Sequence, residues 1–240
     1  MRQGSTYVGP EGPTPNCGTV SEAVPSRRPY IDDTKMKQAA LGFRVHSGWA
    51  AVVAVCLEKG GPVVLARKRV HLVETFTYEF RQPYHTAEKM LQGQGREFIS
   101  RVQAEARGLA YSAIRELASR TQEQGVKLTR CGLLLASGRP LPELDKILAS
   151  HALIHTADGE LFREALLHAS AECELREFTI KEKELLDRAE QVLRAKPNEI
   201  TRRVTELGRP FGAPWSQDEK FATLAAWLAL RTLPRSDRQT

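Results

Sequence analysis

Cysteine is scarce in this 240-residue chain, which contains four. They are Cys17, Cys56, Cys131 and Cys173, and no two are close enough in sequence to form the CxxC pair of a zinc clip. Three of them lie within apolar stretches, which is typical of buried, reduced thiols. The pattern argues against a disulfide-rich secreted domain and against a cysteine-based metal site.

Long apolar runs are also missing. No segment approaches the roughly 20 apolar residues that a membrane helix needs. The first residues, MRQGSTYVGPEGPTPNCG, lack the apolar core of a signal peptide. We therefore expect a cytoplasmic protein with no membrane partner. The phosphate loop GxxxxGK[ST] and the nucleophile elbow GxSxG are absent too, which counts against P-loop and α/β-hydrolase chemistry.

Basic residues outnumber acidic ones modestly, with a net charge of +6 and an isoelectric point near 9.2. This balance is compatible with nucleic acid as a partner but does not require one. Arg67, Lys68 and Arg69 are the candidate phosphate contacts, and the alternative is that they cover a solvated strand face. Nothing in the sequence indicates an oligomeric state.

The distribution of glycine, proline and charge divides the chain into three parts. Residues 1–38 and 234–240 show no periodicity and are predicted to be disordered tails. Residues 39–233 are predicted to form a single domain, and 41% hydrophobic residues suffice for its core.

The predicted elements alternate in a way that defines a fold class. Apolar segments predict strands over 39–45, 48–57 and 62–73, and Gly60-Gly61 marks a hairpin between the last two. Helices are then predicted over 97–124, from about 140, over 181–193 and over 217–230, with strands at 131–137 and 175–180. A three-strand antiparallel meander followed by strand–helix alternation predicts an α/β protein, with a mixed sheet covered by helices.

Three stretches of the chain resemble one superfamily. LGFRVHSGWAAVVAV, LREFTIKEKEL and WSQDEKFATLAAWLAL look like the first hairpin, a late strand and the last helix of RNase H-like proteins. Within that superfamily they are most similar to the Holliday-junction resolvase (RuvC-like) group, over most of residues 40–232. The resemblance implies an RNase H-like fold. For an active member it implies a metal-dependent phosphodiester hydrolase that holds Mg²⁺ or Mn²⁺ with clustered carboxylates.

The carboxylates of that group are largely missing here. An Asp normally ends the first strand, where this chain has Arg44 and His46, and CGLLLAS contains no acid. Asp218, beside Glu219, is the acid that falls where the group places a metal ligand. A hard cation prefers several oxygen ligands, so one carboxylate is a poor site. Either the nuclease chemistry is lost, or other acids supply it.

The stretch SHALIHTADGELFREALLHAS is the candidate source of those groups. In a helix, His151 and His155 stack on one face and are predicted metal ligands or proton carriers. Asp158 and Glu160 are predicted catalytic acids, in one cleft with Asp218.

This stretch is incomplete as a metal motif. Position 152 is Ala, where the HExxH motif has its Glu. His151 and Asp158 are about 10 Å apart along a helix that rises ~1.5 Å per residue. A ligand from another element is therefore needed, and Asp218 and Glu88 are possible donors.

A purely structural interpretation explains the same residues. Asp158 would cap a new helix, with Glu160 in its first turn and Gly159 at the junction. His151 and His155 would then end the preceding helix.

Three functions are compatible with these features. The first is a divergent RNase H-like nuclease or nucleic-acid-binding protein. The second is a catalytically inactive interaction or scaffold module of the same fold. The third, an actin-like or sugar-kinase-like phosphotransfer domain, ranks last because the chain is short for two such lobes and has no phosphate loop.

Overall fold

The computed structural model describes Met1 and residues 36–59, 61–136 and 140–232. Apart from Met1 and residues 36–38, the predicted tails lie outside the described residues. The first strand begins at Lys37, two residues before the predicted start of the domain.

The described strands form one five-stranded mixed sheet in the order β3-β2-β1-β4-β5. The first three strands pair antiparallel, whereas β4 and β5 run parallel to β1. The predicted mixed sheet, an antiparallel three-strand meander followed by parallel strands, is therefore confirmed. The strands are β1 (Lys37–His46), β2 (Trp49–Glu58), β3 (Gly61–His71), β4 (Val126–Leu135) and β5 (Arg176–Lys181).

Strand β4 begins five residues earlier than predicted. Its first half alternates buried Val126 and Leu128 with the exposed Lys127. Arg130 in the same half donates to the carbonyls of Ala229 and Thr232. This first half was not predicted as a strand because its apolar and polar side chains alternate, whereas the second half is a continuous apolar run.

Eight α-helices occur among the described residues. The predictions for 97–124, 181–193 and 217–230 correspond to α3, α6 and α8, while α1, α2 and α7 were missed because they are short or carry many charges. The helices are α1 (Tyr78–Arg81), α2 (Pro83–Ala87), α3 (Gln92–Glu123), α4 (Leu144–Leu148), α5 (His151–Glu172), α6 (Leu185–Leu193), α7 (Pro197–Leu207) and α8 (Gln217–Arg231).

The helices form a layer on each face of the sheet. Helices α3 and α5 pack on the face that contains Leu41, Phe43 and Leu133. Helices α6, α7 and α8 pack on the other face, together with Leu134 and Ile180. None of the helices in the described ranges is both long and apolar enough to cross a bilayer.

Two glycines set how closely α8 approaches the sheet. Gly42 of β1 and Gly132 of β4 are partners in the parallel register. A Cβ at Gly42 would overlap the backbone carbonyl of Ala222, and one at Gly132 would overlap that of Ala225. The helix therefore lies directly on the sheet backbone, and its first turn reaches the carboxyl end of β1.

Helix α5 is unbroken from His151 to Glu172, which contradicts the interpretation of this stretch as a helix junction. Asp158 is not an N-cap, because Ser150 precedes the first turn. Gly159 inside a helix costs about 1 kcal/mol relative to Ala. Burial of the neighbouring apolar side chains, each worth roughly 1.5–3 kcal/mol, outweighs that cost. These side chains include Ile154, Leu161 and Phe162.

Candidate functional site

Two polar clusters lie at the ends of the elements described above. The first, here called the Arg44 cluster, consists of Arg44, His46, Glu182 and Asp218. Arg44 and His46 alternate with Val45 near the end of β1 and lie on the same face as Gly42, which faces α8. Glu182 directly follows β5, and Asp218 lies in the first turn of α8.

Arg44 binds both carboxylates of this cluster. Its Nε and Nη2 lie 3.0 and 2.7 Å from the two Glu182 oxygens, and its Nη1 lies 2.5 Å from Asp218 Oδ1. The bidentate geometry with Glu182 is the strong form of an ion pair. The hydrogen bond to Glu182 raises the pKa of Arg44, against the opposing effect of burial.

Asp218 accepts a second interaction from His46, whose Nε2 lies 2.8 Å from the same Oδ1. Burial alone would raise the pKa of Asp218. The hydrogen bond and charge of His46, followed by those of Arg44, outweigh it and hold that pKa below its usual value. The neighbouring Glu219 is engaged in a capping box with Ser216. Asp218 Oδ1 therefore accepts hydrogen bonds from both Arg44 and His46.

The second group, the His85 cluster, consists of His85, His151, His155 and Asp158. His85 comes from α2, and the other three residues lie on α5. Residues 151, 155 and 158 are four and three positions apart, so they share one helical face. Asp158 and His85 are buried, whereas His151 and His155 are exposed.

The Asp158 carboxylate anchors α2 to α5. Its Oδ1 accepts a hydrogen bond of 2.7 Å from the Tyr84 backbone N–H, and its Oδ2 lies 2.5 Å from His85 Nδ1. Burial raises the pKa of Asp158, although the hydrogen bond from His85 opposes this effect. A buried carboxylate needs such donors, since without them its desolvation would be strongly unfavourable.

The three imidazole rings of the His85 cluster face one another. His151 Nε2 and His155 Nε2 are 3.1 Å apart. The rings of His85 and His155 have centroids 4.4 Å apart, with their planes inclined by 68°. One ring nitrogen from each histidine lies within 4.8 Å of the other two, so the three rings are arranged as a group that could hold a metal ion.

The residues predicted to line one cleft fall into separate surroundings. Asp158 lies on α5 and Asp218 on α8, and these helices cover opposite faces of the sheet. Glu160 forms a 3.1 Å ion pair with Arg163. Histidines 151 and 155 lie together as predicted, but the residue beside them is His85, and Glu88 is exposed at the end of α2.

Sequence reasoning missed His85 as a member of this cluster. The segment QPYHTAE has no periodicity long enough to reveal a helix, and it is 66 residues before His151. The available signal is Pro83 at the first position of α2, which is typical of a helix start. Pro83 indicates that a helix begins there, but it does not indicate that this helix packs against α5.

The three predicted phosphate contacts have different surroundings. Arg67 donates to the carbonyls of Phe211 and Pro214, and Lys68 pairs with Glu116. Arg69 is exposed, and its guanidinium lies 3.7 Å from the centre of the Trp49 ring. Of the three, Arg69 is the exposed residue, and its guanidinium lies over an aromatic ring.

Further contacts between rings, and one between a ring and a guanidinium, continue from Arg69 along the surface. The His46 ring stacks on Trp49 at 4.3 Å, and Trp49 is the register partner of His71. The contacts of the next ring, Phe76, are 4.7 Å to the His71 ring and 4.5 Å to the guanidinium of Arg81. We call this surface the basic-aromatic strip, which consists of His46, Trp49, Arg69, His71, Phe76 and Arg81.

No protein-family model matches the chain, and no curated protein sequence matches it. Solved structures with a similar fold include RuvC from Thermus thermophilus, which has 12% identity over 78% of this chain and 90% of RuvC, with a TM-score of 0.45. The complex of T. thermophilus RuvC with its Holliday junction substrate has 10% identity over 80% and 93%, with a TM-score of 0.49. At these identities the similarity concerns the fold alone.

Proposed function

We propose that this chain binds nucleic acid through the basic-aromatic strip and does not cleave it by metal-ion catalysis at the Arg44 cluster. The observation that carries the proposal is the position of Arg44, whose guanidinium binds Glu182 and Asp218 at the carboxyl end of β1. The carboxyl ends of parallel strands are where α/β proteins commonly bind their ligands.

The charge balance of the Arg44 cluster opposes a divalent cation. Mg²⁺ and Mn²⁺ require oxygen ligands with available lone pairs and excess negative charge. Here the two carboxylates already accept charge-assisted bonds from Arg44, and His46 adds a further contact to Asp218. A cation would have to displace a guanidinium that is only 17% exposed and leave it unpaired beside the metal.

The basic-aromatic strip supports binding to a polyanion that carries flat bases. Arg69 and Arg81 each lie over a ring. The Nε of Arg81 also donates to the Ser47 carbonyl, 3.1 Å away, so its other guanidinium N–H groups are the ones that would bind phosphate. Phe76 is 37% exposed and, together with the His71 ring stacked on it, adds aromatic surface to the strip that a base could contact. A phosphate backbone with unpaired or splayed bases fits both properties.

Fluorescence anisotropy with labelled single-stranded, duplex and four-way-branched DNA tests this proposal. We expect binding that weakens steeply with salt, because each phosphate contact releases condensed counterions. Arg69→Ala and Arg81→Ala should each reduce affinity by roughly 5–10-fold and make the salt dependence shallower. With Mg²⁺ or Mn²⁺, all three DNAs should remain intact.

The matched control is Arg202→Ala, which removes an arginine on α7 whose side chain is 71% exposed. It should leave affinity within about twofold of the unmodified chain. If the chain shows no salt-dependent binding to any of the DNAs, the interaction-module alternative replaces this proposal. Metal-dependent cleavage that disappears in Asp218→Asn would instead establish a nuclease.

A further inference from the structure

We propose that His85, His151 and His155 form a binding site for a divalent transition-metal ion of the Zn²⁺ class. The site joins α2 to the first two turns of α5. This inference is independent of nucleic-acid binding, because it uses none of the residues of the basic-aromatic strip or of the Arg44 cluster.

The spacing of the nitrogen atoms is close to what one ion requires. Two imidazole nitrogens that bind a tetrahedral Zn²⁺ at 2.0–2.1 Å are about 3.3 Å from each other. His151 Nε2 and His155 Nε2 are 3.1 Å apart, and the nitrogen from His85 lies within 4.8 Å of both. To bind one ion with all three nitrogens, the exposed side chains of His151 and His155 would have to rotate toward His85.

Asp158 prepares the buried ligand. It accepts the hydrogen bond at His85 Nδ1, which places the ring proton there and leaves the Nε2 lone pair for a metal. Histidine ligands of zinc commonly donate their second ring nitrogen to a carboxylate in this way. The carboxylate is itself held by the Tyr84 backbone N–H, so the orientation of the His85 ring is set before any ion binds.

The ligand set selects the class of metal and the type of site. Three neutral imidazoles suit Zn²⁺, Co²⁺ or Ni²⁺, whereas Mg²⁺ prefers oxygen ligands. His151 and His155 are exposed, so a fourth position on the ion would face solvent and hold water. Three histidines with one open position are the coordination pattern of reactive zinc sites, whereas closed structural sites have four protein ligands.

The experiment is metal binding to the full-length chain after treatment with a chelator. We expect one Zn²⁺ per chain by mass spectrometry of the metal content, and visible absorption typical of tetrahedral Co²⁺ that Zn²⁺ abolishes. The melting temperature should rise by about 5 °C or more when free Zn²⁺ is about 100 times its Kd. Mg²⁺ at the same concentration should cause no rise.

Variants separate this site from adventitious binding. His151→Ala and His155→Ala change exposed residues, so their metal-free melting temperatures should match that of the unmodified chain. Each should weaken Zn²⁺ binding by at least about 100-fold, and Asp158→Asn should weaken it by roughly 10–100-fold. The matched control is His168→Ala, a partly exposed histidine further along α5, which should retain full affinity.

Two results would overturn the proposal. The first is the absence of one-to-one Co²⁺ and Zn²⁺ binding by the unmodified chain. The second is a loss of affinity in His168→Ala as large as the loss in His151→Ala. Because neither exposed variant disturbs the core, misfolding does not obscure either result.

Discussion

The Arg44 cluster and the His85 cluster each bring a carboxylate into contact with a histidine, but they differ in the charge that the carboxylate meets. Asp218 meets a guanidinium that also binds Glu182. Asp158 meets His85 and a backbone N–H, with two further histidines beyond the ring. In the Arg44 cluster the carboxylates are neutralised by an arginine, whereas in the His85 cluster nitrogen atoms of three histidine rings lie close to one another.

This difference shows which of the two clusters keeps groups that are available to bind a ligand. A carboxylate that accepts charge-assisted bonds from Arg44 stabilises the fold and has little attraction left for a metal ion. A carboxylate that orients a neutral imidazole leaves the basic nitrogen of that ring available. Four predictions test this contrast, and they are ordered from the largest expected effect to the smallest.

Among variants that truncate a side chain to alanine, Arg44→Ala should cause the largest loss of stability. It leaves Glu182 and Asp218 side by side without their shared cation, and we expect the free energy of unfolding to fall by roughly 3 kcal/mol. Urea denaturation measures the change. Arg202→Ala breaks an exposed pair with Glu206 and should cost less than about 1 kcal/mol. Equal losses in the two variants would contradict the role assigned to the Arg44 cluster.

Asp158→Ala should cause the next largest loss. The Tyr84 N–H and His85 Nδ1 would be left in a buried site without an acceptor, and we expect a fall of roughly 2 kcal/mol in metal-free protein. The control is Glu172→Ala, which removes an exposed pair with His168 at the other end of α5. A loss of only a few tenths of a kcal/mol in Asp158→Ala, similar to the control, would show that α2 does not depend on this anchor.

Arg44→Asp should convert the closed cluster into a cation site. Three carboxylates would then meet at the end of β1, and without a cation their repulsion should lower the melting temperature. Millimolar Mg²⁺ should raise the melting temperature of this variant by a few degrees, which corresponds to about 1 kcal/mol. Thermal unfolding of the unmodified chain should not respond to Mg²⁺. A response in both, or in neither, would argue against Arg44 as the group that excludes the ion.

Asp218→Asn should have a smaller effect that depends on pH. Because Arg44 and His46 hold the folded pKa of Asp218 below its unfolded value of about 3.9, its ionised form stabilises the fold above that pH. We expect the variant to be less stable at pH 7 by about 1 kcal/mol, the typical net contribution of one hydrogen bond. The difference should shrink as the pH falls through the folded pKa. Denaturation curves at pH 7, 4 and 2.5 provide the comparison, and a difference that is constant with pH would be inconsistent with this ion pair.

The sheet was predictable because its signals are local. The continuous apolar run of β2, the glycine-marked hairpin and the later strand–helix alternation each occur within a few residues. Helix α7 was missed because Arg202, Arg203 and Glu206 hide its two buried positions, Ile200 and Val204.

The candidate site was only partly predictable. The pairing of His151 with His155 follows from helical spacing, because residues four apart share a face. Their meeting with His85 depends on how α2 packs against α5, which tertiary contacts determine. The sequence could not show that Asp158 and Asp218 lie on opposite faces of the sheet, because no sequence feature shows which face a helix covers. The isolated α8 sequence is equally compatible with either side.

The absence of a side chain at Gly42 and Gly132 has a consequence for the first turn of α8. A methyl group at either position would push the helix outward, and its first turn would move with it because the helix is a stiff rod. Asp218 would then be separated from Arg44 without any change to either residue. Glycine at positions 42 and 132, at the centre of the sheet, is therefore needed to keep Asp218 within hydrogen-bonding distance of Arg44 at the edge of the sheet.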